Sequence, residues 1–177
     1  MDIINRLNQE HSIAVTRAIV NYVGEDAGRF AIVLNAFLHG DARLSQRAGW
    51  PLGYIAMAHP GLIRAHIVKL LKKLEEKGNH PAVPRNIFRI LQSIDIPKKH
   101  QGNVLDLCFK IIPSELHAVG VRAFAITTAA TICKQYPDLK RELQLVLSEM
   151  AALPQSPAIV ARIKFAVKDL APRNSKL

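Results

Sequence analysis

The feature that most constrains the fold is a repeat of 37 to 40 residues. Short breaks containing glycine or proline separate segments that can be helical, and every second segment carries an arginine near its start. These arginines are Arg47, Arg85, Arg122 and Arg162, at spacings of 38, 37 and 40 residues. No segment alternates between apolar and polar residues with a period of two over a useful length, so we predict no strands. The pattern predicts an all-α chain of stacked helix pairs, because each pair buries its apolar face only against its neighbours.

The breaks define the helices that we expect. An N-terminal capping region, Asp2–Val23, is predicted to form one helix or two. The following helices are predicted at Asp26–Leu38, Ala42–Met57, Gly61–Lys77, Pro81–Ile94, Lys99–Ile111, Ser114–Lys134, Asp138–Ala152 and Ser156–Leu170. We therefore expect one domain over 1–177, with a cap at 1–24, four repeats at about 26–57, 61–95, 99–134 and 138–170, and a frayed tail at 171–177.

The repeat closely resembles the HEAT family of α-solenoid proteins, which is similar to the armadillo repeats. Asp41 stands six residues before Arg47, and in the HEAT family an aspartate and arginine at this spacing form a ladder along the stack. The resemblance covers about residues 26–170 and implies a right-handed α-α superhelix whose second helices line the concave surface. The later repeats depart from the pattern, because Asn79, Leu116 and Ser156 replace the aspartate. Asn79 can still cap a helix.

The stretch "HGDARLSQRAGWPLGYIA", residues 39–56, combines a helical pattern with residues that weaken helices. We predict that Asp41 caps the helix start. Pro51 is expected to let the helix curve against its partner, and a proline inside a repeat helix is familiar in the HEAT family. Gly49 and Gly53 are expected to let neighbouring backbones approach closely. The only tryptophan, Trp50, is predicted to line the core or a groove.

The charge of the chain is strongly positive and unevenly distributed. The net charge is +10, with zero over residues 1–60 and +6 over residues 61–110. Such a basic centre is typical of proteins that bind nucleic acid, an acidic protein or a phosphorylated ligand, although basic proteins without such a partner are also common. The lysine run in "VKLLKKLEEK" is predicted to be a solvated convex face, opposite the buried stripe of Gly61–Lys77.

The candidate binding groove combines basic and aromatic side chains. At 100° per residue, four residues of the helix that follows Asp41 share one face, and two arginines share the polar face of Pro81–Ile94. The resemblance places both helices on the concave surface, and the loop after the second repeat adds two lysines. The candidate binding residues are Arg43, Arg47, Trp50, Tyr54, Arg85, Arg89, Lys98 and Lys99.

Two arginines are predicted to serve the fold. The helix "LHAVGVRAFAITTAATIC" is apolar or small all round, so Arg122 is expected to be buried and to donate to carbonyl groups or a paired charge. Arg47 is expected to reach toward the turn at Asp41 or toward the adjacent repeat.

Catalytic and metal-binding motifs are missing from the sequence. The chain lacks GxGxxG, GxxxxGK[ST], HExxH and GxSxG, and it contains no His-Glu dipeptide of the kind that HEAT-type di-iron hydroxylases use. We therefore predict no cofactor, no metal site and no catalytic residue. Cys108 and Cys133 are predicted to be reduced and buried. No signal peptide and no apolar run of membrane-spanning length occurs, so we expect a cytoplasmic protein without a membrane partner.

The functional hypothesis is a non-enzymatic HEAT scaffold that engages a protein partner through the concave face. Nucleic-acid binding through the basic central repeats is the alternative. A HEAT-like lyase or glycosylase-type enzyme is a third possibility, disfavoured because no nucleophile or acid–base pair stands out.

Overall fold

The computed structural model describes residues 1–171, and these residues are entirely helical outside turns and loops. The prediction of an all-α fold is confirmed. The right-handed sense of the superhelix and the single domain over 1–177 stay predictions, and of the predicted tail only Ala171 lies within the described residues. The helices are α1 (Ile3–Gln9), α2 (Ile13–Val23), α3 (Ala27–His39), α4 (Ala42–Ala58), α5 (Pro60–Arg64), α6 (Ile67–Glu75), α7 (Ala82–Leu91), α8 (Lys98–Ile111), α9 (Val119–Cys133), α10 (Pro137–Ala151) and α11 (Pro157–Leu170).

The helices form two compact units, residues 1–97 and the part of the chain that begins at Lys98. In the first unit, α4 is central and packs against α1, α2, α3, α5 and α7. The first four helices of this unit each begin after a residue whose side chain accepts a backbone N–H bond, which satisfies one of the free donors at the helix start. These capping residues are Asp2, Ser12, Asp26 and Asp41.

The predicted helix Gly61–Lys77 is wrong, because two helices replace it. The chain makes a tight turn between α5 and α6, where the His66 N–H donates to the Ile63 carbonyl over 2.8 Å. The His66 ring packs against Phe30 of α3, with ring centroids 5.7 Å apart. This tertiary contact lies at the break between the two helices. The sequence does not signal the break, because no proline or glycine occurs between Gly61 and the end of α6. Ile63 and Ile67 are nevertheless both fully buried, as their spacing predicts.

One further expectation fails at the end of α6, and Asn79 bonds this helix end. Lys73, part of the lysine run predicted to be solvated, is only 8% exposed, and its Nζ lies 2.6 Å from Glu76 Oε2. The Asn79 amide donates to the carbonyls of Lys73 and Glu76. Asn79 therefore satisfies carbonyls at the end of α6 instead of capping the start of α7. At the start of α7, His80 Nδ1 accepts the Ala82 N–H over 3.1 Å.

In the second unit, α9 is central and packs against α8, α10 and α11. The predicted start of this helix at Ser114 is wrong, because α9 begins at Val119. Residues 114–118 form a turn that leaves Leu116 97% exposed. The prediction for Arg122 is confirmed, since this side chain is 7% exposed and its Nε donates to the Ile112 carbonyl over 2.9 Å. A buried guanidinium is tolerable only with such partners.

The two cysteines are buried and unpaired, as predicted. Burial raises the pKa of the Cys133 thiol to about 11 and the pKa of the Cys108 thiol further still. Both thiols therefore stay protonated near neutral pH and behave as small apolar side chains.

Candidate functional site

The structure divides the predicted binding residues between the two units. Six of them lie on α4 and α7 of the first unit. Lys98 and Lys99 form the exposed first turn of α8 in the second unit, so the loop placement of Lys98 is wrong, whereas Lys99 begins a predicted helix. The six residues on the first unit define what we call the α4–α7 face: Arg43, Arg47, Trp50, Tyr54, Arg85 and Arg89.

The start of α4 is fixed as the sequence predicts. The Asp41 carboxylate accepts the Leu44 N–H over 2.8 Å. The Ser45 hydroxyl donates to the Gly40 carbonyl over 3.0 Å, which ties the first turn to the residue before the cap. These bonds fix where the helix begins and therefore which residues its exposed face presents.

Close packing between α4 and α7 explains one of the two glycines beside Pro51. At Gly49, a Cβ atom would collide with the Asn86 side chain, which is itself buried against α4. Gly49 therefore permits the close approach of α7. At Gly53 a Cβ atom would lie 3.9 Å from Arg89, an ordinary contact distance, so this glycine is not required by packing. Pro51 is buried, and α4 continues through it. Because proline has no backbone N–H, the hydrogen bond that residue 51 would donate to the Arg47 carbonyl is missing.

Arg47 ties α1 to α4. Its Nη1 atom donates to the Leu7 carbonyl over 2.9 Å and to the Asn8 carbonyl over 2.7 Å. Both carbonyls belong to the last turn of α1, where the helix has no backbone donors left for them. A guanidinium also suits the negative end of the helix dipole. Arg47 thus bonds α1, which lies in the predicted N-terminal cap, and not the turn at Asp41 or a predicted repeat.

Trp50 packs against His11, which lies in the junction between α1 and α2. Their ring centroids are 4.5 Å apart with an angle of 38° between the planes. Partial burial, followed by the charge of Arg47, lowers the pKa of His11 below its usual range. The imidazole is therefore neutral near pH 7 and serves as an aromatic neighbour of Trp50. This contact was not predicted, because His11 lies in the segment assigned to the N-terminal cap and outside the predicted repeats.

Tyr54 and Arg89 form the second aromatic pair of the α4–α7 face. The Arg89 guanidinium lies over the Tyr54 ring, 4.8 Å from its centroid. The Arg89 side chain reaches this position across Gly53. The contact positions the Arg89 guanidinium but leaves its positive charge in place, because the face of an aromatic ring carries no formal negative charge.

Carboxylates are missing from both helices of the face. Neither α4, with 17 residues, nor α7, with 10 residues, contains an aspartate or glutamate. Arg43 and Arg85 are exposed, and the ion pairs among residues 1–171 involve none of the four arginines of the face. The α4–α7 face therefore carries four arginines outside any described ion pair, together with two aromatic rings.

Comparison with known families identifies the architecture. The family model of the HEAT repeat domain matches residues 3–170 of the chain. The chain belongs to the HEAT repeat family. No curated protein and no solved structure matches it significantly. Membership shows a repeat fold of the kind used as a scaffold, and the match extends over α1 and α2, which we had assigned to a cap.

The arginines of the HEAT repeats do not make one repeated contact. Arg47 bonds carbonyls of α1, Arg122 bonds a carbonyl after α8, and Arg85 is exposed. Arg162 Nη1 donates to Thr127 Oγ1 over 2.9 Å. Thr127 and Arg162 are 35 residues apart in the sequence, whereas the repeat arginines Arg122 and Arg162 are 40 apart. The contact therefore does not join equivalent positions of two repeats. The sequence period therefore predicts the helix pairs, but not a ladder of equivalent side chains.

Other kinds of site find no support within residues 1–171. This part of the HEAT repeat chain holds no group of three His, Cys, Asp or Glu side chains that could bind a metal ion. Nor does any of its helices combine the length and apolarity that crossing a bilayer requires. His59 lies 3.5 Å from Glu25, an exposed carboxylate, in a pair without a third ligand.

Proposed function

We propose that this HEAT repeat protein is a non-enzymatic scaffold that binds an acidic segment of a protein partner through the α4–α7 face. The observation that carries the proposal is three arginines outside any described ion pair or side-chain hydrogen bond, Arg43, Arg85 and Arg89, on two packed helices that contain no carboxylate. Charge complementarity of this kind selects acidic partners and speeds their association. HEAT repeats are commonly used for protein interaction, which supports a protein as the partner.

The residues of the face divide into those that would contact the partner and those that position them. Arg43 and Arg85 are exposed and offer planar donors that suit carboxylates in two-bond geometry. Tyr54 is 36% exposed and presents its ring beside the Arg89 cation. Arg47 already donates to α1, so its role is to hold α4 in place. Arginine and tyrosine are the residue types that most often dominate interface energies.

A charge-removal variant tests the proposal. The triple variant Arg43→Gln, Arg85→Gln, Arg89→Gln should keep its helical content, because these side chains make no hydrogen bond or ion pair among those described. Affinity capture from cells, quantified by mass spectrometry, should show that proteins held by the natural sequence are lost from the variant. Acidic segments should be over-represented among the lost proteins.

The matched control removes the same charge from another surface of the first unit. The control carries glutamine at the exposed lysines Lys69, Lys72 and Lys77. We expect the control to capture the same proteins as the natural sequence. If the arginine variant also retains them, the α4–α7 face is not the binding site.

Nucleic-acid binding is the second candidate, and the same unpaired arginines favour it. Each phosphate neutralised on duplex DNA would contribute a slope of about −0.9 to the dependence of log affinity on log salt. Fluorescence anisotropy with labelled duplex DNA and RNA at two salt concentrations measures this slope. A steep slope that the arginine triple variant reduces would support nucleic acid over an acidic protein. A flat response, or no binding at low salt, removes this candidate.

A further inference from the structure

A cleft between α9 and α11 in the second unit is a feature that sequence reasoning did not single out. Its volume is about 360 Å³, enough for one or two side chains of a ligand. The cleft is formed by side chains of four kinds: two cations, one carboxylate, an aromatic ring, and small or hydroxyl residues. They are Thr127, Ala130, Arg162, Phe165, Ala166, Lys168 and Asp169.

Arg162 supplies a fixed cation to this cleft. Its Nη1 donates to Thr127 Oγ1, and that hydroxyl in turn donates to the Ala123 carbonyl over 3.3 Å. The guanidinium is thus oriented by a neutral partner that leaves its charge uncompensated. The only carboxylate of the cleft, Asp169, lies 2.5 Å from the Lys134 ammonium. A second cation, Lys168, is exposed at the same cleft.

Phe165 supplies an apolar surface next to that cation. Its side chain is 69% exposed although it is fully apolar, while Ala130 and Ala166 behind it are buried. Small residues there leave room that a larger side chain would fill. A phenyl ring left in water beside an oriented guanidinium fits a ligand that carries an apolar group next to an anionic group.

We propose that the α9–α11 cleft binds an acidic peptide segment in which a carboxylate stands beside an apolar side chain. The carboxylate would pair with Arg162 and Lys168, and the apolar side chain would cover Phe165. A nucleic-acid strand fits less well, because a phosphate backbone needs a track of cations and this cleft offers two beside a carboxylate. This site goes beyond the proposed function, since it lies in the other unit and shares no residue with the α4–α7 face.

A site-resolved titration tests the proposal. The probe is a short synthetic peptide with glutamates on both sides of one leucine. In the otherwise natural sequence, Phe165 is replaced by 4-fluorophenylalanine as a label, so ¹⁹F NMR reports the cleft, while emission of the only tryptophan, Trp50, reports the α4–α7 face. We expect a saturable ¹⁹F shift. Arg162→Gln should weaken peptide binding about tenfold, measured with the same ¹⁹F label. Phe165→Ala removes the labelled position, so its affinity is measured by the anisotropy of a labelled peptide, and we expect a similar loss.

The controls lie on the same helix and outside the cleft. Lys164→Gln removes a charge and Val167→Ala removes exposed apolar surface, and both should leave the peptide affinity unchanged. The proposal is overturned if the ¹⁹F signal does not shift, or if the control variants weaken binding as much as the cleft variants do. It is also overturned if oligo-deoxythymidine, and not the peptide, shifts the signal. A Trp50 response without a ¹⁹F shift would refute the cleft while leaving the proposed function intact.

Discussion

Arg47 offers the sharpest test of how this repeat is held together. In Arg47→Ala, the carbonyls of Leu7 and Asn8 lose a charged donor to which they are bonded at 2.9 and 2.7 Å. A charge-assisted hydrogen bond is worth about 1.5–3 kcal/mol, and partial exposure of this pair lets water replace some of it. We therefore expect the free energy of unfolding to fall by about 1–3 kcal/mol.

The assay follows the first unit directly. Trp50 lies three residues from Arg47 and packs against His11, so its emission reports this junction during urea or thermal unfolding. A loss of 1–3 kcal/mol corresponds to a fall in Tm of roughly 2–12 °C for a chain of this size. The matched control is Arg43→Ala, which removes an exposed arginine one turn earlier on the same helix and should change stability by no more than about 0.5 kcal/mol.

Two results would refute this account of Arg47. If Arg47→Ala and Arg43→Ala melt alike, the carbonyl bonds do not contribute to stability. If Arg47→Ala keeps its Tm but loses a partner that Arg43→Ala retains, Arg47 is a contact residue and not a support for α4.

The remaining predictions concern Gly49 and His11. Gly49→Ala places a methyl group against the buried Asn86 side chain, so we expect a loss of about 1–3 kcal/mol in urea unfolding. Gly61→Ala, which meets nothing within 4 Å, should be neutral or slightly stabilising, and an equal loss in both variants would contradict the packing argument. The pKa of His11 is lowered from 6.5 in the folded protein, so the unfolded chain binds its proton first as the pH falls. The contribution of His11 to stability is therefore full above about pH 6.5 and declines as the pH drops through the folded-state pKa. Unfolding curves at several pH values should show a smaller decline in His11→Gln, and an identical decline would exclude this role.

The sequence predicted the parts of the fold that depend on local chemistry. The cap at Asp41 follows from the preference of a short acidic side chain for the helix start, and the structure confirms it. The burial of Arg122 with a carbonyl partner follows from the apolar character of its whole helix. In both cases one short segment contains all the information that decides the outcome.

The sequence could not predict features that depend on distant residues. The break between α5 and α6 accompanies the contact of His66 with Phe30 of α3, more than thirty residues earlier. Asn79 has the chemistry of a cap, but the position of α6 decides which helix it serves. The same reason explains the missed cleft, since Arg162 meets Thr127 only after α9 and α11 have packed.

The four repeat arginines fall into two groups by the contacts that they make. Arg47 and Arg122 donate to carbonyls that follow or end another helix, so their replacement would leave acceptors without a partner. Arg85 and Arg162 stand at the corresponding sequence spacing, but one is exposed and the other is held by a neutral hydroxyl. No ion pair among residues 1–171 neutralises either charge. Under the two binding proposals, replacing Arg85 or Arg162 should weaken the binding of an anionic group more than it lowers the free energy of unfolding, whereas replacing Arg47 or Arg122 should do the reverse.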